Sequence, residues 1–314
     1  MNAKRLKGKV AVVSGSSMGI GKAIAIALAA DGVSVVLNGR DNHRLENTEA
    51  ELRSLGYEVS AVTADIRTPE LCRHLVEQAV LRYGKLDILI NNAAISSRGA
   101  VADMADSNYK IMEETNYNGS AHLSKYAVPY LQKTKGHIIF INSAGGFRGM
   151  PFNSAYSATK MAQAALAEAL RIELYDSGIH VGVAFVGFTE NDPKKTILDI
   201  DGSLVYLPKR TNIGLAKPQA VAKSIKQMIL QRKNRITLTP LGRFTDFVTR
   251  YLPRFSNWLL WVNRDKIKSQ FTMIGGDVFN SSPEPAEDEF TATGHGNKDF
   301  QGMCHPCPKG IGLR

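Results

Sequence analysis

The sequence predicts an α/β fold: a doubly wound, mainly seven-stranded parallel sheet with helices on both faces and a C-terminal helical extension. Three observations carry this expectation. Strand-like and helix-like stretches alternate up to about residue 240. The strand cores read as continuous apolar runs, such as Ile138-Ile139-Phe140-Ile141, as they must when helices cover both faces of a parallel sheet. A glycine-rich turn separates the first strand from the first helix. Alternation at this spacing implies right-handed crossovers.

Taken in order, the strands are expected at 9–14, 33–38, 58–63, 86–91, 137–142, 180–186 and 235–238. Helices are expected near 19–31, 42–55, 69–83, 106–133, 155–177 and 218–232. The chain then divides into a dinucleotide-binding and catalytic unit over 1–240, an amphipathic helical extension over 241–275, and a tail over 276–314. That tail is rich in Gly, Pro, Ser and acidic residues, with few aliphatics, and is expected to be poorly ordered.

The first turn, Ser14-Gly15-Ser16-Ser17-Met18-Gly19-Ile20-Gly21, follows the apolar run Val10 to Val13 and opens a helix. Glycines there let the backbone approach a pyrophosphate, which the helix N-terminus holds. This makes the N-terminal half a dinucleotide site of Rossmann type. The next strand ends in Asn38-Gly39-Arg40-Asp41. A carboxylate at the position of Gly39 would bind the ribose 2′-OH of NAD. A glycine followed by Arg40 instead suits a 2′-phosphate, through charge and a bidentate fork. NADP is therefore favoured over NAD, unless Asp41 serves the ribose and Arg40 is an ordinary surface residue.

Tyr156-Ser157-Ala158-Thr159-Lys160 places a phenol and an ammonium one helical turn apart on one face. A neighbouring positive charge favours the phenolate. Such a phenol can protonate a developing alkoxide, or take a proton from an alcohol, near neutral pH. Ser143 lies thirteen residues upstream.

These motifs together resemble the classical short-chain dehydrogenase/reductases over roughly residues 7–235. The family's Thr-Gly-x-x-x-Gly-x-Gly turn appears with Ser14 in place of the Thr, its Asp-Val pair as Asp65-Ile66, and its Asn-Asn-Ala-Gly as Asn91-Asn92-Ala93-Ala94. The helix-borne Asn appears as Asn116, ahead of Ser143, Tyr156 and Lys160. The resemblance implies that Gly15, Ser17, Gly19, Ile20, Gly21, Asp65, Ile66, Asn92, Gly187 and Thr189 contact the cofactor, Asp65 at the adenine. It further implies that Ser143 holds the substrate oxygen and Tyr156 delivers or accepts the proton. Lys160 would assist Tyr156 and bond the nicotinamide ribose, and Asn116 would anchor a water linking Lys160 to solvent. Two departures stand out. Ala94 replaces a glycine of the crevice, and Val186-Gly187 replaces Pro-Gly, with Thr189 two residues beyond Gly187 and Asn191 at the usual Thr position.

The implied activity is NADP(H)-dependent interconversion of a carbonyl and an alcohol on a small molecule. An apolar, lipid-like substrate is suggested by the aromatic C-terminal segment. The rival reading is a non-catalytic dinucleotide-binding regulatory or scaffold protein of the same fold. The family's habit of pairing the helices near 106–133 and 155–177 implies a homodimer or homotetramer.

Composition excludes several classes. No apolar run reaches the length of a membrane span, and residues 1–8 are basic without the apolar stretch of a signal peptide. Three cysteines, Cys72, Cys304 and Cys307, make no disulfide framework and suit a reducing, cytoplasmic compartment. The net charge of +10 is spread along the chain without a recognition motif, so no nucleic acid is expected. Cys304-His305-Pro306-Cys307 lacks a second cysteine pair, His295 being the nearest further ligand, and no metal is expected. His43, His74, His122, His137 and His180 are scattered.

Leu241, Phe244, Val248, Tyr251, Phe255, Trp258 and Val262 recur in steps of three and four, and 226–268 carries ten Lys/Arg against two Asp. Such a stripe either packs on the domain and roofs the substrate pocket, broken in two at Pro253, or lies peripherally in a membrane interface. The period is the same for both.

Overall fold

The computed structural model describes residues 5–207 and 215–272. The strands are β1 (Val10–Val13), β2 (Ser34–Gly39), β3 (Val59–Thr63), β4 (Ile88–Asn91), β5 (His137–Ser143), β6 (His180–Val186), β7 (Thr196–Leu198), β8 (Leu204–Tyr206) and β9 (Arg235–Thr237). The helices are α1 (Gly19–Ala29), α2 (Asn42–Ser54), α3 (Pro69–Tyr83), α4 (Asp106–Glu113), α5 (Gly119–Thr134), α6 (Ser154–Glu173) and α7 (Pro218–Gln231). Three more, α8 (Pro240–Tyr251), α9 (Pro253–Val262) and α10 (Arg264–Thr272), follow the last strand.

Seven strands form one parallel sheet in the order β3-β2-β1-β4-β5-β6-β9. Alternate residues of each strand serve opposite faces. In β5, Ile139 and Ile141 enter a core with Ile24, Leu28 and Ile225 from α1 and α7. Ile138 and Phe140 enter the other core with Leu75, Leu123 and Ala167 from α3, α5 and α6. A strand buried on both faces cannot alternate polar and apolar residues, which is why these runs were continuous in sequence. The strand order reverses between β1 and β4, so a crevice opens beyond their C-terminal ends.

Helix ends follow local chemistry. Asp41 caps α2, its carboxylate accepting from Arg44 N at 2.9 Å. Pro69 opens α3 and Gly84 closes it in the left-handed region. Three features differ from the expectation. The helix predicted over 106–133 is α4 and α5 joined by a π-helical turn, Glu114–Asn118. The helix predicted to 177 ends at Glu173. A short antiparallel hairpin, β7–β8, interrupts the segment between β6 and α7.

The C-terminal stripe is divided between two helices. Pro253 separates α8 from α9. Of the stripe's seven residues only Val248 is buried, at 4% exposure. α8 is tied to β9 through Asp246, which pairs with Arg235 at 2.7 Å. Phe244, Tyr251, Phe255 and Trp258 are exposed among the described residues. The tail over 276–314, with Cys304, Cys307 and His295, lies outside the described residues. No described helix is long and apolar enough to cross a membrane.

Candidate active site and dinucleotide cleft

The glycine turn after β1 is locked from β4. Ser14 Oγ accepts from Asn92 N at 2.9 Å and Ala93 N at 3.0 Å. Asn92 Nδ2 donates to Ser14 O at 2.9 Å and Gly15 O at 3.0 Å. The Asn92 side chain therefore fixes the turn. Gly15 has φ +62, and a Cβ there would sit 2.8 Å from Ala93 Cα. At Gly21 a Cβ would strike Gly15 O and the Asn92 amide. Both positions are glycine because backbone passes over backbone.

Gly19 differs: nothing lies within 4 Å of where its Cβ would be. α1 begins there with no side-chain cap and no acidic residue in its first turn. Its first N–H groups and the positive end of its dipole thus face open space, as an anion site requires. The turn fits the pyrophosphate of a dinucleotide. Ser17 and Ile20 belong to this same turn, partly buried. A cavity of about 360 Å³ continues alongside, lined by Ser17, Met18, Lys22, Arg44 and Thr48 among others.

At the end of β2, Gly39 packs close to Ser17, whose Oγ would be 3.3 Å from a Cβ. Arg40 is exposed just beyond. Asp41 is engaged in capping α2. Asp65, after β3, takes Nε and Nη2 of Arg67 at 2.9 and 2.6 Å. Burial works to raise its pKa, but the Arg67 hydrogen bonds and the charges of Arg67 and Arg40 hold the carboxyl below its ordinary value. Ile66 is buried, and a side chain at Gly119 would collide with it, at 2.6 Å from Ile66 Cδ1.

Ser143, Tyr156 and Lys160 lie where β5 meets α6. Ser143 closes β5, and its Oγ accepts from Gly145 N at 3.3 Å. A Cβ on Gly145 would stand 3.6 Å from the Tyr156 ring, so the loop after Ser143 passes beside Tyr156. Phe152, in the same loop, holds φ +57, a strained value for a non-glycine residue. Its carbonyl accepts from Gly99 N at 3.0 Å. Tyr156 packs into a small apolar cluster with Ile95, Met104, Tyr109, Met112 and Ala155.

Lys160 is 2% exposed, with Nζ 5.9 Å from the Tyr156 ring centre. Nζ donates to Ile141 O at 3.0 Å and Gln163 Oε1 at 3.1 Å. Burial, with a smaller contribution from the Lys195 charge, lowers its pKa to about 7. Asn116 sits in the π-helical turn and exchanges two hydrogen bonds with Ile95, both at 2.9 Å. Its Nδ2 also donates to Thr159 Oγ1 at 2.9 Å. Its carbonyl accepts from Gln163 Nε2 at 3.2 Å. The Gln163 amide therefore spans Asn116 O and Lys160 Nζ.

Beyond β6, a Cβ on Gly187 would run into the Thr239 side chain. Thr189 is buried and its hydroxyl donates back to Gly187 O at 3.2 Å. The β7–β8 hairpin then crosses to the 96–108 segment. Leu198 N donates to Ser96 O at 2.9 Å and Ala105 N to Ile200 O at 2.8 Å. Asn108 Nδ2 donates to Asp199 O at 2.6 Å. These bonds latch the hairpin across the site.

Sequence reasoning passed over Gln163, Arg44 and Lys195. Gln163 carried one signal: it lies one turn beyond Lys160 on the same helix face. Arg44 and Lys195 carried none beyond their charge.

Comparison with known proteins agrees with this architecture. A family model for short chain dehydrogenases matches residues 9–199. Dehydrogenase/reductase SDR family member 7B of Danio rerio is 32% identical over 254 residues, covering 79% of this chain and 82% of that protein. An alcohol dehydrogenase from the archaeon Thermococcus sibiricus, solved with 5-hydroxy-NADP, superposes with a TM-score of 0.65 at 27% identity. It covers 73% of this chain and 95% of its own. A short chain dehydrogenase/reductase from Burkholderia phymatum, solved with NAD, shares the fold with a TM-score of 0.68 at 23% identity, over 77% of this chain and 93% of its own. A family match over more than half of the chain, on a seven-stranded parallel sheet with an anion-ready turn after β1, makes this protein a member of the short-chain dehydrogenase/reductase family of oxidoreductases.

Proposed function

We propose that the protein interconverts a carbonyl and an alcohol on an apolar small molecule, with NADP(H) as cofactor. The observation that carries this reading is the meeting of Ser143, Tyr156 and Lys160 at the junction of β5 and α6, within the fold that presents the open α1 N-terminus. The dinucleotide supplies or accepts the hydride. The rest falls to the chain's own groups. Ser143 Oγ and the Tyr156 hydroxyl hydrogen-bond the substrate oxygen, and Tyr156 gives up its proton as negative charge develops there. The Lys160 ammonium stabilises the phenolate left behind. General acid catalysis of this kind is worth roughly 10²–10⁴-fold.

The preference for NADP rests on the end of β2. Gly39 offers no carboxylate, Asp41 is engaged as a helix cap, and Arg40 and Arg44 flank the turn with positive charge. The apolar-substrate reading rests on the apolar cluster into which Tyr156 packs, with Ile95 and Tyr109 at its partly exposed edge. Cys72, buried and donating to Ile66 O, has its thiol pushed up to about 12 by burial and takes no part in redox chemistry. A reducing, cytoplasmic setting belongs to this reading. So does assembly as a homodimer or homotetramer, for which α6 offers an outward face with Ala158, Met161, Ala165, Ala169 and Ile172 exposed.

The test is oxidation of NADPH by the purified protein with a panel of apolar ketones, repeated with Tyr156→Phe. Turnover that falls at least tenfold in the variant, with cofactor binding retained, supports the reading. Dinucleotide binding without turnover of any ketone or alcohol would overturn it in favour of a regulatory or scaffold role.

A further inference from the structure

The chain has two tryptophans, Trp258 and Trp261, and both lie in α9 on the surface, 52% and 64% exposed. Phe244, Phe247, Tyr251 and Phe255 extend the same exposed aromatic surface along α8 and α9. Among the described residues these rings meet mainly one another: Phe247 lies 5.1 Å from Tyr251, and Phe255 stacks on Trp258 at 5.5 Å. The helices are nonetheless anchored. α8 is held by buried Val248 and by the Asp246–Arg235 pair. α9 is held by Arg148, which donates to Ser256 Oγ and, at 2.6 Å, to Asn257 Oδ1. These few contacts hold α8 and α9 to the domain while the six rings stay exposed among the described residues.

Charge states what such a surface suits. Residues 243–268 contain Arg243, Arg250, Arg254, Arg264, Lys266 and Lys268 against Asp246 and Asp265 alone. Asp246 is already paired with Arg235 and Asp265 with Arg264. On α8, Arg243 and Arg250 project beside the arc of Phe244, Phe247 and Tyr251, not opposite to it. Exposed aromatic rings bordered by cations are what a headgroup layer accepts, rings at the acyl boundary and guanidinium groups among the phosphates. A second copy docked on this face would bring two cationic surfaces together.

We propose that α8 and α9 form an interfacial docking surface for an anionic phospholipid bilayer. Arg148, which anchors α9, belongs to the loop between Ser143 and Tyr156. The docked face thus adjoins that loop, and a substrate dissolved in the bilayer would approach the site from this side. This last step rests on the apolar-substrate reading; the docking does not.

Intrinsic fluorescence tests it directly, because every tryptophan of the chain is in α9. The full-length protein is titrated with vesicles of phosphatidylcholine and of phosphatidylcholine with phosphatidylglycerol. A blue shift of the emission, and quenching by brominated acyl chains, is expected with the anionic vesicles, weakening as salt is raised. Arg243→Glu, Arg250→Glu and Arg254→Glu together should reduce vesicle affinity at least about a hundredfold, since each cation near the surface is worth about 1 kcal/mol. Turnover of a water-soluble ketone by that variant should match wild type, which shows that it folds. Three results would overturn the proposal. One is emission that is already blue and shielded without lipid, meaning that another part of the chain covers the face. Another is a lipid-independent shift that follows protein concentration, meaning a second copy. The third is absence of any shift with anionic vesicles.

Discussion

Gln163 Oε1 lies 3.1 Å from Lys160 Nζ, while Nε2 of the same amide donates to Asn116 O at 3.2 Å. Nε2 also donates to Ser120 Oγ at 2.8 Å, and Oε1 takes a further bond from Asn142 Nδ2 at 3.3 Å. One side chain thus ties the ammonium beside Tyr156 to the π-helical turn that carries Asn116. A carboxamide oxygen positions an ammonium by accepting from it. Gln163 is a positioning residue in this arrangement.

Gln163→Ala is expected to lower kcat by roughly ten- to a hundredfold, the worth of a hydrogen bond to a charged group, with a smaller change in KM. Gln163→Glu should act differently. A carboxylate beside the buried ammonium favours its charged form, so the loss of activity at high pH should move to higher pH. Steady-state kinetics across pH for the two variants and wild type would check both. Equal changes in kcat and KM, with no movement of the alkaline limb, would show that Gln163 only fills space.

Arg40 and Arg44 provide a second expectation. Arg40→Ala should weaken NADP about ten- to a hundredfold in Kd and leave NAD nearly unchanged, because only NADP offers a 2′-phosphate to a charge-assisted bond. Arg44→Ala should do the same more weakly, since Arg44 is partly committed to Asp41 at 3.6 Å. Equal losses for both cofactors in a calorimetric titration would identify both as ordinary surface cations.

What could be read from the sequence was what depends on short-range spacing. The turn from Ser14 to Gly21 declared itself because its three glycines are spaced within eight residues between an apolar strand and a helix, although the steric demand on Gly15 comes from distant Ala93. The strands were legible because burial on both faces leaves continuous apolar runs. The β7–β8 hairpin was missed, although Asp201-Gly202 marks its turn, because three-residue strands fall below any periodicity signal. The π-helical turn at Glu114–Asn118 is a matter of hydrogen-bond register, which residue types do not announce. Gln163 reads in sequence as one polar residue in an alanine-rich helix; only the approach of α6 to Asn116 gives it work. The stripe over 241–262 had the right period for either of two environments, and its exposure among the described residues is not written in the period.

The outward face of α6 makes oligomerisation testable by mass. A homodimer or homotetramer is expected at micromolar concentration by light scattering. Ala165→Arg, placed on an exposed position of that face, should yield a monomer with its helical content intact. A monomeric wild-type protein would remove α6 from consideration as an interface.

His137 and His180 give the fold an acid-sensitive base. They start adjacent parallel strands, with Nδ1 atoms 3.1 Å apart, and both rings are buried. Such a contact needs one ring to donate and the other to accept, so it suits two neutral imidazoles. Burial, then the other ring and the nearby cations Arg232 and Lys9, lowers His137 from 6.5 to about 3. Burial, with Arg232 and Arg171, lowers His180 to about 4. In the unfolded chain both titrate at the ordinary value, so between pH 6.5 and about 4 the unfolded state binds more protons. Stability must then fall as pH falls through that window, by up to about 1.4 kcal/mol per proton for each pH unit. Above pH 7 both rings are neutral in either state and contribute no pH dependence. Urea unfolding at steps from pH 7.5 to 4.5 should show a slope approaching two protons, and His137→Asn with His180→Asn should flatten it. A slope unchanged in the double variant would mean that carboxylates elsewhere, not this pair, set the acid limit of the fold.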